Sequence, residues 1–132
     1  MTRVPEDAAS TGQVIRRGEI WTVDWTPGRG SEQTGLRPAL VIQTDAACRN
    51  QKYPNVIVLA VSTSGRNVPF HIPLTPTQEN GLRAPSFVKC EQILTISKDR
   101  LRERWGTATA DDMDAIAEAV RLVLAIRGAR RA

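Results

Sequence analysis

The sequence predicts a mainly β domain closed by one C-terminal α-helix, its strands curling into a small, strongly bent barrel. Three observations lead there. Short apolar runs, alternating or continuous, recur from Gly18 to Thr107 and are separated by turns rich in Gly, Pro and Asn. Helical spacing is sustained over several turns only after Thr109. With 132 residues, 41% of them apolar, the chain has the size and composition of a single core.

The elements follow in order. The first thirteen residues, MTRVPEDAASTGQ, lack large apolar groups and read as a loose tail before a domain spanning residues 14–128. "GEIWTVDWTPG" places Trp21, Val23 and Trp25 on one face and Ile20, Thr22 and Asp24 on the other, a strand stopped by Pro27-Gly28. Two tryptophans at i and i+4 on one strand face are more often core than base-stacking platforms. A polar loop to Leu36 leads into "PALVIQT", a buried strand, and then into the polar "DAACRNQKYPN" with room for a helical turn. "VIVLAVS" is the most continuous apolar run and reads as a central strand. "PFHIPL" alternates, with His71 opposite Phe70, Ile72 and Leu74, which predicts a surface histidine. After the polar "TPTQENGLRAP" come two short strands, "SFVKCEQI" and "LTIS", and then "RERWGT". Thr109 is placed to cap the final helix, with Asp111, Asp112 and Asp114 at its positive end. Met113, Ile116, Val120, Val123 and Leu124 form one apolar stripe, and Ala115, Ala119, Leu122 and Ile126 a second, an arc wider than one sheet needs. Gly128 is expected to end the helix, and residues 129–132 form a short basic tail.

Composition limits the chemistry. Cys48 and Cys90 are far apart and make no metal or redox spacing, so they read as free thiols in a reducing compartment. With a single histidine and scattered acids there is no metal cluster, and no cofactor is expected. No stretch has the shape of a signal peptide or the length of a membrane span, so the expectation is a cytoplasmic protein without membrane contact. The net charge is +4, and from Val14 to Thr109 there are thirteen Lys/Arg against eight Asp/Glu. The positive excess lies in the β portion of the chain and suits a polyanionic partner.

A 2′-hydroxyl cleaves its own RNA strand when a protein takes the hydroxyl proton, holds the charge growing on phosphate and protonates the leaving oxygen. A lone His71 rules out a two-histidine scheme, and no nucleophile elbow or glycine-rich phosphate loop is present. Arg37 stands out instead. A guanidinium fork holds two phosphate oxygens at once, and Pro38 restricts the preceding residue to extended geometry, giving that fork a rigid root.

The stretch "RRGEIWTVDWTPGRGSEQTGLRPALVIQ" resembles the opening of the MazF/PemK family of toxin endoribonucleases, whose pattern RGxIWxVDxxPxxGSEQxGxRPAxV is matched at nearly every specified position from Arg17 to Val41. The resemblance continues through "VIVLAVSTSGRN", "VPFHIPL" and "EQI" to the terminal helix. It implies a small SH3-like β-barrel of the PemK/CcdB-like toxin fold, a homodimer, and metal-independent cleavage of single-stranded RNA to 2′,3′-cyclic phosphate and 5′-hydroxyl ends. The family's essential arginine falls on Arg37. Its essential Thr or Ser falls on Ser62 when counted back from Pro69-Phe70, and on Thr63 with a one-residue slip; the sequence departs here from the commoner Thr-Thr or Thr-Ser wording. Ser31, Glu32 and Gln33 match the family's loop beside the site, with Glu32 a candidate for positioning Arg37 or a base. Arg29 and Arg66 are candidates for phosphate contacts, and Asn67 and Gln92 for a base edge.

The expected partners are single-stranded RNA and a cognate MazE-like antitoxin. Two other readings compete with the nuclease. One is a gyrase-poisoning barrel toxin, whose type ends in Trp-Gly-Ile where this chain ends Arg130-Arg131-Ala132. The other is a catalytically silent RNA-binding barrel.

Overall fold

The computed structural model describes residues 14–25 and 35–127. Six strands are present: β1 (Glu19–Asp24), β2 (Leu36–Val41), β3 (Asn55–Ser62), β4 (His71–Leu74), β5 (Ser86–Ser97) and β6 (Leu101–Thr107). A short helix α1 (Asp45–Arg49) joins β2 to β3, a 3₁₀ turn (Lys98–Arg100) joins β5 to β6, and helix α2 (Ala110–Leu124) follows β6. The strands form one antiparallel sheet in the order β4-β5-β3-β2-β1-β6. The mainly β reading with a terminal helix is borne out, and "VIVLAVS" is an interior strand, β3. Among the described residues no ladder joins the outer strands β4 and β6, so "barrel" applies to this sheet only loosely.

Both faces of the central strands are buried, which explains why β3 reads as continuously apolar. Ile20, Leu40 and Leu59 lie side by side across β1, β2 and β3, fully buried, and pack with Val61, Leu74, Val88 and Cys90 beneath Ile116 and Ala119 of α2. The opposite face carries Trp21, Val23, Trp25, Ala39, Val41, Val56 and Val58, closed by Ile15, Leu101 and Cys48 of α1. Trp21 and Trp25 are therefore core residues, as their spacing suggested.

Three boundaries differ from expectation. "SFVKCEQI" and "LTIS" are not two strands but one twelve-residue β5. Its register against β3 jumps from Leu59↔Ile93 to Ala60↔Lys89, so Cys90, Glu91 and Gln92 form a bulge that keeps the strand continuous while bending it. The core face of α2 is narrower than the two predicted stripes: Ile116 and Ala119 are buried and Met113 and Val120 pack beside them, whereas Ala115, Leu122, Leu124 and Ile126 are exposed. Finally, α2 ends before Gly128, which lies outside the described residues. Ala125 takes the left-handed conformation (φ 56°), and the N–H groups of Ala125 and Ile126 return to the carbonyls of Leu122 and Arg121. The start of α2 is as expected: Thr109 Oγ1 accepts from Asp112 N, and Asp112 accepts in return from Thr109 N.

No helix among the described residues is long and apolar enough to cross a membrane. Cys48 and Cys90 are free and buried. Burial raises both thiols, Cys90 from 9.0 to about 12 with a further push from the Glu91 carboxylate. The folded chain therefore holds these protons more tightly than the unfolded chain does. Their contribution to stability is full below pH 9 and falls as pH rises toward 12. Native protein at pH 8 should react with a thiol-labelling reagent far more slowly than protein in denaturant; equal rates would contradict the packing described for both cysteines.

Candidate active site

Arg37 is the second residue of β2, one step further into the sheet than the sequence suggested. Gly35 turns the chain into the strand with a positive φ of 74°, a conformation that costs a side-chain-bearing residue energy. Trp25 then fixes the root of Arg37 from both sides. Its backbone N–H donates to Gly35 O at 2.9 Å, and its indole Nε1 donates to Arg37 O at 3.3 Å. Val23 is the β1 partner of Arg37, so the guanidinium stem leaves on the tryptophan face of the sheet, opposite α2. The side chain itself is exposed.

On its other side β2 pairs with β3 as Ala39↔Ala60, Leu40↔Leu59 and Val41↔Val58. The ladder stops there, and Pro38, which has no N–H to give, sits just past its end. Continued by two residues, the same register sets Arg37 opposite Ser62 on the same face. Ser62 is the last residue of β3 and half-buried, and its Oγ accepts from Ser64 N at 3.0 Å. That bond leaves the hydroxyl proton of Ser62 available to a ligand oxygen. Thr63 follows the strand end and is exposed.

The same face continues onto β5 and β4. Ser62 is paired with Phe87, Ala60 with Lys89, and Lys89 with His71. The loop after β3 lies over Phe87: a Cβ on Gly65 would stand 2.4 Å from the Phe87 ring, so only glycine allows this approach. Arg66 and Asn67 are exposed on that loop. Gln92 is half-buried in the β5 bulge, off the paired ladder. Arg29, Ser31, Glu32 and Gln33 lie outside the described residues.

His71 requires a correction. It is 8% exposed, not a surface residue. Its Nδ1 accepts from Arg66 N at 3.0 Å, and its Nε2 lies 3.0 Å from both carboxylate oxygens of Glu91. With Nδ1 accepting, the ring proton sits on Nε2 and is donated to Glu91. The alternation rule failed because it assumes that one face of the strand is solvated, and here the β3–β4 loop covers that face. Lys89 and Phe87 were also missed, although alternation in "SFVKCEQ" already places Phe87, Lys89 and Glu91 on one side.

Near β1, Arg100 Nη1 donates to Asp24 O at 2.8 Å and Arg102 pairs with the Asp24 carboxylate at 3.3 Å. Arg37 and Lys89 thus put positive charge on the tryptophan face of the sheet, whereas Arg102 is paired with the Asp24 carboxylate on the opposite face.

Residues 16–124 match the family described as PemK-like, MazF-like toxins of type II toxin–antitoxin systems. Endoribonuclease EndoA of Bacillus subtilis (strain 168) is 34% identical over 115 residues, which is 86% of this chain and 97% of that protein. Two solved structures share the fold. One is an endoribonuclease in complex with its cognate antitoxin from Mycobacterial species, at TM-score 0.70 and 23% identity, covering 87% of this chain and 99% of that one. The other is MazF from Deinococcus radiodurans, at TM-score 0.69 and 24% identity, covering 85% and 97%. Family match and relative agree over nearly the whole domain: this chain belongs to the PemK-like, MazF-like toxins of type II toxin–antitoxin systems.

Proposed function

We propose that residues 14–128 form an endoribonuclease that cleaves single-stranded RNA by attack of the substrate's own 2′-hydroxyl, without a metal ion. The observation that carries this reading is that Arg37 and Ser62 each lie two residues past the last β2–β3 pair, Ala39↔Ala60, and so on the same face of the sheet. The RNA phosphate sits between them. Arg37 takes two of its non-bridging oxygens through the guanidinium fork and stabilises the charge that develops as the 2′-oxygen bonds to phosphorus. The Ser62 hydroxyl donates to the same phosphate and holds it in line for departure of the 5′-oxygen. The departing 5′-oxygen takes its proton from water, so that the products are a 2′,3′-cyclic phosphate and a 5′-hydroxyl. Lys89, half-buried on the same face, adds positive charge under the strand. Glu32 and its neighbours Ser31 and Gln33 stand in the segment that leads into Gly35, where Glu32 positions Arg37 or takes the 2′-proton. Arg29 and Arg66 hold flanking phosphates, and Asn67 and Gln92 read bases.

The reading extends to partners in the cytoplasm. The exposed apolar trio Leu122, Leu124 and Ile126 on and just after α2 supports a homodimer, in which paired basic faces form one RNA groove. That groove would accept a flexible acidic segment of a MazE-like antitoxin as readily as RNA, the ordering cost being offset by wide contact.

This reading is tested in four ways. Arg37→Ala should lower cleavage of a long RNA by at least ~10²-fold, the scale for losing one preorganised charge donor, while circular dichroism stays native. In the same assay Ser62→Ala should impair cleavage more than Thr63→Ala, and the reverse ranking would move the catalytic hydroxyl to Thr63. An RNA carrying a single 2′-deoxy nucleotide at the cut site should resist the enzyme in the presence of EDTA, whereas the all-ribo version should be cut there; efficient cutting of the deoxy substrate would require water as nucleophile. Light scattering should give the mass of two 14.5-kDa chains for free protein, and a larger, RNase-silent complex with a MazE-like antitoxin. A monomer, or a complex that still cleaves RNA, would refute the dimer or the groove-covering antitoxin respectively.

A further inference from the structure

His71 plays no part in that chemistry, yet its surroundings are costly to build. An imidazole this deeply buried needs both ring nitrogens satisfied, and an apolar side chain would fill the space without that demand. Its two partners lie on separate elements. One is the backbone N–H of Arg66 in the β3–β4 loop, and the other is the carboxylate of Glu91 at the β5 bulge. The loop's other hydrogen bonds among the described residues are short-range turns (Ser64 N to Ser62 Oγ, Val68 N to Arg66 O and His71 N to Val68 O), apart from Cys90 N to Phe70 O, which ties only its last residue to β5. The ring therefore ties the middle of the loop to the sheet, at the residue whose side chain faces the solvent beside Ser62. Phe70 and Phe87 hold the ring itself, with centroids 5.3 and 6.4 Å away.

We infer that His71 is a positioning residue for RNA: through Nδ1 it fixes the backbone of Arg66, so that the β3–β4 loop presents Arg66 and Asn67 to a strand whose phosphate is held at Arg37. The inference rests on the ribonuclease reading for its substrate and on the geometry above for the anchor. It assigns to the loop a role in binding RNA, separate from the bond-breaking step at Arg37 and Ser62.

Two amides separate the ring's two bonds. In His71→Asn the side-chain oxygen takes the place of Nδ1 and can still accept from Arg66. In His71→Gln the amide reaches toward Glu91 in place of Nε2, and the acceptor for Arg66 is gone. The amide proton of Arg66, followed by NMR, should exchange slowly in the wild type and in His71→Asn and faster in His71→Gln. His71→Gln should raise KM for RNA by about 3- to 10-fold, the worth of one hydrogen bond, with kcat within about twofold. His71→Asn should restore KM. Adding Arg66→Ala to His71→Gln should cost much less than Arg66→Ala does alone, because the displaced loop no longer presents that side chain. Should His71→Gln fail to fold, the exposed Glu91 offers a second route: Glu91→Ala frees the far end of the ring and should raise KM, and Glu91→Gln, which keeps an acceptor oxygen, should not.

Equal Arg66 exchange in all three proteins would overturn the anchor, whatever the protein does to RNA. Faster exchange in His71→Gln with an unchanged KM and additive Arg66→Ala would overturn the positioning role. A wild type that protects the Arg66 amide but leaves RNA intact would overturn the ribonuclease reading, and with it the role in RNA binding.

Discussion

The pairing of β2 with β3 is the constraint on which the rest depends. One register sets Leu40 against Leu59 on the helix face, Ala39 against Ala60 on the tryptophan face, and, two residues further, Arg37 against Ser62. A slip of one residue would turn every buried side chain of one strand toward the wrong cluster. Four core side chains of 0% exposure, Ala39, Leu40, Leu59 and Ala60, stand against that slip. Burying each of the two leucines contributes roughly 1.5–3 kcal/mol. The candidate site is thus placed by the core, and Arg37 and Ser62 inherit their position from residues buried in it.

A polar counterpart holds the other side of the sheet. Glu19 is 5% exposed, yet its carboxylate accepts from Arg16 N, Trp21 Nε1 and Arg104 Nε. A buried carboxylate without these donors would cost several kcal/mol, whereas with them it joins the entry to β1, the Trp21 indole and the edge strand β6. Trp25 continues this frame toward Arg37 through its own indole. Trp21 in β1 and Trp25 just past its end thus serve as hydrogen-bond donors as well as apolar bulk, and both donate toward the ends of the strand where the fold would otherwise fray.

Much of this was legible in the sequence, for reasons that can be named. The strands were readable because both faces of the central ones are buried, which leaves long apolar runs. Thr109 and Asp112 were readable because helix capping is local chemistry. Arg37 was legible through Pro38 and the resemblance around it. What escaped depends on tertiary cover. The burial of His71 comes from a loop whose path no local rule gives, and the β5 bulge arises from its fit to β3 rather than from any breaker residue within "KCEQI". The end of α2 at Ala125 was missed because glycine, the usual left-handed residue, stands three positions later. The segment carrying Arg29, Ser31, Glu32 and Gln33 was read from the family pattern alone.

The seat of Gly65 on Phe87 has a consequence for how such a molecule can diversify. The loop is held at three points: Ser62 at its start, the aromatic ring under Gly65, and the imidazole of His71 against Arg66. A residue inserted or deleted between Ser62 and Arg66 must break at least one of them, and a side chain at position 65 would lift the segment off the ring. On the reading proposed above, positions 66 and 67 can exchange their side chains on a backbone of constant length. The loop behaves less like a flexible lip than like a type bar, whose letter can be changed while its stem stays the same.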